Sequence, residues 1–147
     1  MIDIAHNWIE ELPDGTFLHR KGAAPARAGT LSLLPGSRAT ASYVLACADD
    51  DAAAAASHLA SLAHGAGRRL SRAVARRVGT DGPAGGDATR GGTVVCGDKA
   101  LLAEEGPHAY KDVESVVACM VARGMCRVAA RLLPIATYKT RGPAVPS

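Results

Sequence analysis

The chain has 147 residues, a formal net charge of +3 and a sequence pI of about 8.8. Its length is close to the commonest size of a single domain and is sufficient to bury a core. Net charge affects how a protein attracts charged partners and does not determine its fold. A positive charge this small permits a nucleotide or RNA partner without requiring one. Apolar runs such as residues 52–56 are too short to span a bilayer, so we expect no membrane association.

Four cysteines, Cys47, Cys96, Cys119 and Cys126, are spread along the chain without a Cys-x-x-Cys pair or the spacing of a zinc site. The first residues lack the basic and apolar regions that are typical of a secretory signal. This distribution indicates reduced thiols, most of them buried. The sequence therefore predicts a cytoplasmic protein.

The alternation of strand-like and helix-like segments predicts an α+β fold. Turn signals separate short strands at residues 16–20, 30–34 and 42–45. The middle of the chain predicts a central helical pair, 52–62 and 69–77, with aspartates 49–51 as an N-terminal cap. Residues 79–92 predict a flexible loop, residues 113–121 a helix, residues 128–132 a strand ended by Pro134, and residues 141–147 a frayed tail.

The most informative motif is the run Ala-His-Gly-Ala-Gly-Arg at residues 63–68, between the two predicted helices. Its glycines allow a ligand to approach the backbone, and the following helix would direct N–H groups toward an anion. Arg68 could hold a phosphate with two hydrogen bonds, and His64 could be a ligand, a general acid or base, or a nucleophile on phosphorus. The alternative is a glycine-rich helix end with His64 exposed by chance.

Weaker signals lie elsewhere, each with a plain structural alternative. His6 and Asn7 end an apolar segment, where a histidine can be a metal ligand or have no role. The basic run at residues 19–22 suits a phosphate site or a solvated turn. The Pro-Gly-Ser-Arg run at 35–38 could clamp an anion or form an ordinary turn. The arginines between residues 68 and 77 could face phosphates or form a solvated helix face.

The order of these motifs resembles the C-terminal half of the RtcB-type RNA ligases. The matching runs are His-Asn at 6–7, His-Arg-Lys-Gly-Ala at 19–23, Pro-Gly-Ser at 35–37, the run at 63–68, Glu-Glu-Gly-Pro-His-Ala-Tyr-Lys-Asp-Val at 104–113, and Lys139. The ending at 138–141, with Ala63, is similar to the branch associated with peptide release factor H. The resemblance implies an RtcB-like mixed fold with small β-sheets over residues 1–147. It also implies an enzyme that joins RNA 3′-phosphate (or 2′,3′-cyclic phosphate) and 5′-hydroxyl ends with GTP and Mn²⁺.

The resemblance also implies a role for individual residues. His64 would attack the α-phosphorus of GTP to form a guanylyl-histidine, and His6 would be a manganese ligand. The implied nucleotide-binding set is His6, Asn7, Pro35, Gly36, Ser37, Arg38, Ser42, His64, Gly65, Ala66, Gly67 and Lys139, with Lys21, Arg68 and Tyr110 lining the same pocket.

The resemblance does not extend to the N-terminal half of the family sequences. That half carries the other manganese ligands of the family, which are an aspartate, a cysteine and further histidines. Residues 79–92 are also shorter and richer in glycine than the corresponding family segment. We therefore interpret the chain as a truncated ligase that could act with a separate N-terminal half. The alternative is a catalytically inactive remnant that binds nucleotide or RNA. A general RNA-binding module is disfavoured because aromatic RNA-reading motifs are scarce.

Overall fold

The structure is a computed structural model that describes residues 2–5, 7–48, 56–79 and 92–140. The chain divides into two compact units. The first unit comprises Met1–Gly36, Ser42–Gly67 and Asp112–Leu132, and the second comprises Ser37–Ala41, Arg68–Lys111 and Leu133–Ser147. Every strand pair in the described residues lies within one unit.

Nine strands and three α-helices are found among the described residues. The strands are β1 (Asn7–Glu11), β2 (Phe17–Lys21), β3 (Ala23–Pro25), β4 (Leu31–Leu34), β5 (Ser42–Cys47), β6 (Ser61–Ala63), β7 (Thr93–Cys96), β8 (Cys126–Leu132) and β9 (Ala136–Lys139). The helices are α1 (Arg72–Val78), α2 (Lys99–Glu104) and α3 (Val113–Ala122), and Pro107–Ala109 form a 3₁₀ turn.

The first unit is built on a three-stranded antiparallel sheet of order β4-β5-β8. Leu34 and Leu45 are fully buried, and Tyr43 is 3% exposed. Helix α3 packs against β8 and buries Val113, Val117 and Met120, which recur at the spacing of one helix face. These side chains form the core of the unit.

Two smaller antiparallel pairs complete the first unit. Strands β1 and β2 form a hairpin, and its turn contains Gly15 at φ +80°, a conformation that glycine adopts without strain. The carboxylate of Asp14 accepts hydrogen bonds from the backbone N–H and hydroxyl of Thr16, at 2.9 and 2.6 Å. Strand β3 pairs with β6, and Ala24 and Leu62 are buried in this pair.

The second unit combines a parallel pair, β7 and β9, with two short helices that contact each other. The buried residues Ala75, Ala103 and Ala109 have small side chains, which allow the backbones to approach closely. The carboxylate of Glu104 is 8% exposed and forms ion pairs with Arg72 at 3.0 Å and Arg76 at 3.1 Å. Two arginines of the run, Arg72 and Arg76, therefore form ion pairs with a glutamate of the same unit.

The predicted α+β class with small sheets is confirmed, and the strands expected at 16–20, 30–34, 42–45 and 128–132 are β2, β4, β5 and β8. The helix expected over residues 52–62 is wrong in its described part, because only Ala56 and Ser57 are helical before a turn and β6. Pairing with β3 overrides the helix propensity of the alanine-rich sequence. Residues 49–55, 80–91 and 141–147, with the predicted cap, loop and tail, lie outside the described residues.

The second expected helix begins three residues later than predicted. The Ser71 hydroxyl accepts a hydrogen bond from the Val74 N–H at 3.3 Å, so Ser71 is the N-terminal cap of α1. The helix therefore does not begin directly after the 63–68 run, since Arg69 and Leu70 stand between that run and the cap in the sequence. No helix in the described part of the chain has the length and apolar character needed to cross a membrane.

Candidate functional site

His64 lies directly after strand β6, at the start of the glycine-rich loop. Its backbone N–H donates to the carbonyl oxygen of Gly22 at 3.2 Å, which extends the β3–β6 pairing by one residue. The side chain of His64 is half-buried. The position of this histidine is therefore fixed by strand pairing, whereas the sequence indicated a helix end.

His64 lines a cavity of about 230 Å³ in the first unit. The other lining residues are Ile2, Asp3, Ile4, Leu33 and Pro35, so Asp3 supplies the one carboxylate among them. Apolar walls lower the local dielectric and strengthen any electrostatic interaction inside the cavity. A ligand in this cavity would meet an imidazole and a carboxylate against an apolar background.

The loop after His64 lies beside Pro35, the first residue of the predicted 35–38 run. A Cβ atom added to Gly65 would lie 3.7 Å from the carbonyl oxygen of Pro35, an ordinary van der Waals distance. Ala66 is buried, and Gly67 has φ +75°, which favours glycine. Within the same unit, the backbone N–H of Gly36 donates to the Ser42 hydroxyl at 3.0 Å.

Asn7 and Lys21 lie directly opposite each other in the β1–β2 hairpin. Both residues are exposed at the end of the hairpin that leads into Gly22. Because the Gly22 carbonyl accepts the His64 N–H, this end of the hairpin adjoins the histidine. The first unit thus brings together the predicted residues Asn7, Lys21, Pro35, His64 and Gly65.

A second cluster of predicted residues surrounds Glu105 in the second unit. Arg68 donates to the Glu105 carboxylate at 3.1 Å, the Lys139 ammonium lies 3.8 Å from it, and the Tyr110 hydroxyl donates to it. The guanidinium of Arg68 also lies 5.1 Å from the centre of the Tyr110 ring. Three residues that are far apart in the sequence therefore share one carboxylate.

Opposing effects act on the ionisation of this cluster. Burial alone would raise the pKa of Glu105, but the Tyr110 hydrogen bond and the charges of Lys139 and Arg68 outweigh it and hold this pKa below its usual value. Burial, with the hydrogen bond to Glu105, raises the pKa of Tyr110 to about 12. The carboxylate is therefore ionised and the phenol neutral at neutral pH.

The remaining predicted residues of the second unit are held by backbone contacts. The backbone N–H of Ser37 donates to the Thr40 hydroxyl at 2.6 Å. Arg38 donates to the carbonyl oxygen of Leu102 at 2.7 Å and to that of Glu105 at 3.4 Å, at the end of α2. Its guanidinium therefore holds the chain at Glu105.

A shallow groove of about 480 Å³ opens beside the Glu105 cluster. Its lining residues are Arg72, Leu101, Glu104, Glu105, Tyr138, Lys139 and Thr140. The groove combines cations and carboxylates with the exposed ring of Tyr138, which suits a polar ligand with a flat ring.

A sequence profile of the family described as tRNA-splicing ligase RtcB matches residues 1–140. The chain belongs to the RtcB family. It is 38% identical to RNA-splicing ligase RtcB2 of Escherichia coli, over 97% of this chain and 38% of that relative. It is 36% identical to RNA-splicing ligase RtcB of Mycobacterium tuberculosis, over 95% of this chain and 36% of the relative. With tRNA-splicing ligase RtcB of Pyrococcus furiosus the identity is 37%, over 93% of this chain and 16% of the relative.

The chain spans 38% or less of the length of these three RtcB relatives. The resemblance drawn from the motif order is confirmed at the level of the family. His6, the predicted manganese ligand, lies outside the described residues. The described residues contain no group of three or more histidine, cysteine, aspartate or glutamate side chains that could hold a metal ion. They therefore do not fit a manganese site by themselves.

Sequence reasoning missed two acidic residues of this RtcB chain. Asp3 lines the His64 cavity, and its only sequence signal is a charge within an otherwise apolar segment. Glu105 stands in the matching run at 104–113 with no role assigned to it, although its sequence separation from Tyr110 allows the two side chains to meet across the 3₁₀ turn. Both omissions concern contacts that only the folded chain makes.

Proposed function

We propose that this chain carries the nucleotide-transfer part of an RtcB-type RNA ligase and that His64 is its nucleophile. One observation carries the proposal. His64 follows β6 directly, lines a cavity with Pro35, and begins a glycine-rich loop in which a Cβ atom added to Gly65 would lie in van der Waals contact with Pro35. A half-buried imidazole at the edge of a cavity suits attack on phosphorus, which depends mainly on positioning and charge neutralisation.

The proposed reaction has three steps. A ring nitrogen of His64 bonds to the α-phosphorus of GTP, and the bond from that phosphorus to the bridging oxygen breaks, so pyrophosphate leaves. An RNA 3′-phosphate oxygen then attacks the same phosphorus and releases His64. Finally, the 5′-hydroxyl of a second RNA end attacks the RNA 3′-phosphorus and displaces GMP, which leaves a 3′–5′ bond.

The residues around Glu105 support guanine as the base. A lysine ammonium can donate to the O6 and N7 atoms of guanine. We propose that Lys139 makes this contact, with Arg68 and Tyr110 holding the Glu105 carboxylate beside it. The arginines Arg72 and Arg76 add positive charge to the same unit, which favours a phosphate-bearing ligand.

The proposal includes partners that the described residues do not themselves supply. We propose RNA ends as substrates, Mn²⁺ as a cofactor with His6 as one donor, and a separate N-terminal half that provides the remaining donors. When bound, Mn²⁺ would supply positive charge that neutralises the phosphates of GTP. The coverage of the relatives supports this division, since at least three fifths of the Escherichia coli protein has no counterpart here. The proposed location is the cytoplasm.

Covalent labelling tests the proposal. The chain is mixed with Mn²⁺, the segment of the Escherichia coli relative that it does not match, and GTP that carries radioactive phosphorus at the α position. We expect an acid-labile, base-stable phosphoramidate label on the chain, and no label on the His64→Ala variant.

A matched histidine variant controls for indirect effects. The Nδ1 atom of His58 accepts the backbone N–H of Ser61 at 3.1 Å. His58→Asn removes the imidazole but offers an amide oxygen at a similar position, so this variant should keep the label. Label on His64→Ala would refute the nucleophile. No label on the wild-type chain in any mixture would favour the inactive remnant, which the short coverage of the relatives also permits.

A further inference from the structure

Arg20 is a buried arginine that the proposed chemistry does not use. It lies in β2 and is 5% exposed. Its guanidinium bonds in two directions. On one side it pairs with the carboxylate of Glu10 at 2.5 Å. On the other it donates to the hydroxyl of Ser61 at 2.8 Å and to the carbonyl oxygen of Leu59 at 3.1 Å.

The turn that Arg20 contacts has an unusual backbone. Leu59 and Ala60 have φ values of +53° and +43°, the left-handed region that residues other than glycine rarely adopt. The side chain of Leu59 is 60% exposed, so packing of that side chain does not hold this conformation. Hydrogen bonds hold it instead. The carbonyl of Leu59 accepts from Arg20 and from the Ser61 hydroxyl, and that of Ala60 accepts from the Ala26 N–H at 2.7 Å.

This turn leads directly to His64. Ser61, which Arg20 holds, is the first residue of β6, and His64 follows the third. A strand of three residues has few pairing contacts of its own, and a shift by one residue would turn every side chain to the opposite face. The hydrogen bond from Arg20 to Ser61 therefore acts at the start of the short strand whose register places His64.

We propose that Arg20 is a positioning residue, which holds the turn at residues 59–61 and through it the orientation of His64. This inference rests on the proposed function of His64. A planar guanidinium suits the task because its fixed donors reach Glu10, Ser61 and Leu59 together. A lysine ammonium is a single compact charge and cannot reach all three. Glu10 fixes the guanidinium in turn, and Arg27 holds the second carboxylate oxygen of Glu10 at 2.7 Å.

A purely structural role makes a different prediction. If Arg20 only stabilised the unit as a buried ion pair, its loss would lower the unfolding free energy without a selective effect on His64. Arg27 provides a matched control, since it binds the same carboxylate but is 63% exposed, and among the described residues its guanidinium forms no hydrogen bond with the turn. Substitution of each arginine by alanine therefore distinguishes the effect of losing an ion pair with Glu10 from the effect of losing the hydrogen bonds to the turn.

The first measurement needs no nucleotide. Backbone amide hydrogen exchange in the chain alone should accelerate by about tenfold at residues 61–64 in Arg20→Ala, as expected where local opening becomes easier. Exchange at Leu45 and Val117, in the core of the same unit, should stay within about twofold of the wild type. Arg27→Ala should leave residues 61–64 unchanged. Equal acceleration across the unit would show that Arg20 is merely structural.

The second measurement uses the labelling mixture. Arg20→Ala should lower the maximal guanylylation rate by about tenfold or more, because small misplacements of a reacting group are costly, and should leave the KM for GTP within about twofold. Methylguanidinium should restore the rate in Arg20→Ala, methylamine should not, and neither should affect Arg27→Ala. An unchanged rate, or a loss that methylguanidinium does not restore, would overturn the proposal.

If Arg20→Ala fails to fold, Arg20→Lys replaces it. The lysine keeps the charge beside Glu10 but cannot reach both Ser61 and Leu59, so faster exchange at residues 61–64 is still expected, and its absence would overturn the proposal. If the wild-type chain takes no label, the proposed function fails, whereas the exchange measurement still decides whether Arg20 holds the turn.

Discussion

Glu105 illustrates what the sequence can and cannot reveal about a single residue. The motif order drew attention to Arg68, Tyr110 and Lys139, and all three contact the Glu105 carboxylate. The adjacent residue Glu104 instead pairs with Arg72 and Arg76. In sequence the two glutamates look equivalent, and only the direction of each side chain at the end of α2 distinguishes them. A motif can thus point to the residues of a site, but only the folded structure shows which charged side chains pair with each other.

The ionisation of Glu105 should make the stability of the chain depend on pH. Because the pKa of Glu105 in the folded chain is lowered, its contribution is present above its ordinary pKa and is lost as the pH falls through the lowered value. Glu105→Gln should therefore lower the unfolding free energy at neutral pH, and the difference from the wild type should be smaller at an acid pH below the ordinary pKa of a glutamate. Urea unfolding at both pH values measures it. A difference that is the same at both would contradict this ionisation.

Lys139 should contribute to nucleotide binding if it contacts guanine. Lys139→Ala should weaken GTP binding by about tenfold, the size expected for loss of one hydrogen bond from a charged donor. Calorimetric titration with GTP and with ATP measures the effect, and ATP binding should change less because adenine has no O6 acceptor. The control is Lys111→Ala, an exposed lysine of the same unit. Equal losses in the two variants would argue for a general charge effect.

Among the elements, the strands with strong turn signals were predictable and those formed by distant pairing were not. The strands β2, β4 and β5 stand between turn residues, and local sequence suffices for them. Strand β6 follows an alanine-rich segment that favours a helix, and only its pairing with β3 makes it extended. The strands β7 and β9 pair in parallel and are separated by about 40 residues. Because parallel strands need a long crossover connection, neither strand is flanked by the short turn that signals a hairpin.

The start of the β7–β9 pair depends on Gly92. This residue has φ +60°, and an added Cβ atom would overlap the backbone of Ile135, which also accepts the Thr93 N–H at 3.1 Å. Backbone cannot move aside as a flexible side chain can. Gly92→Ala should therefore destabilise the chain by about 1–3 kcal/mol, as overpacking and left-handed strain do.

Gly97, at the other end of β7, provides the control. In the described part of the chain, no atom outside its two sequence neighbours lies within 4 Å of a Cβ added there, and its φ is outside the left-handed region. Gly97→Ala should change the midpoint of urea unfolding little, and Gly92→Ala should lower it clearly. Equal midpoints for the two variants would show that the contact with Ile135 does not constrain the pair.

For the whole molecule, the family was predictable and the arrangement of its site was only partly so. Six separated motifs in a fixed order are more informative than any one of them, and the match to RtcB over residues 1–140 agrees with that order. The structure assigns His64, Pro35 and Asn7 to the first unit and Arg68, Tyr110 and Lys139 to the second. The order of the motifs along the chain does not predict this division, because each unit is assembled from segments that are far apart in the sequence.

The donor set of the chain should limit its affinity for metal. A divalent transition metal in a protein commonly needs three or more donors from histidine, cysteine or carboxylate side chains. His6 is the one donor that the family resemblance assigns to this chain, and the described residues contain no group of three such side chains that could hold a metal ion. We therefore expect the chain alone to bind Mn²⁺ weakly, with no tight site by calorimetry. Addition of the unmatched segment of the Escherichia coli relative should create a tight site that His6→Ala removes. A sub-micromolar site in the chain alone, lost in His6→Ala, would show that further donors lie within these 147 residues.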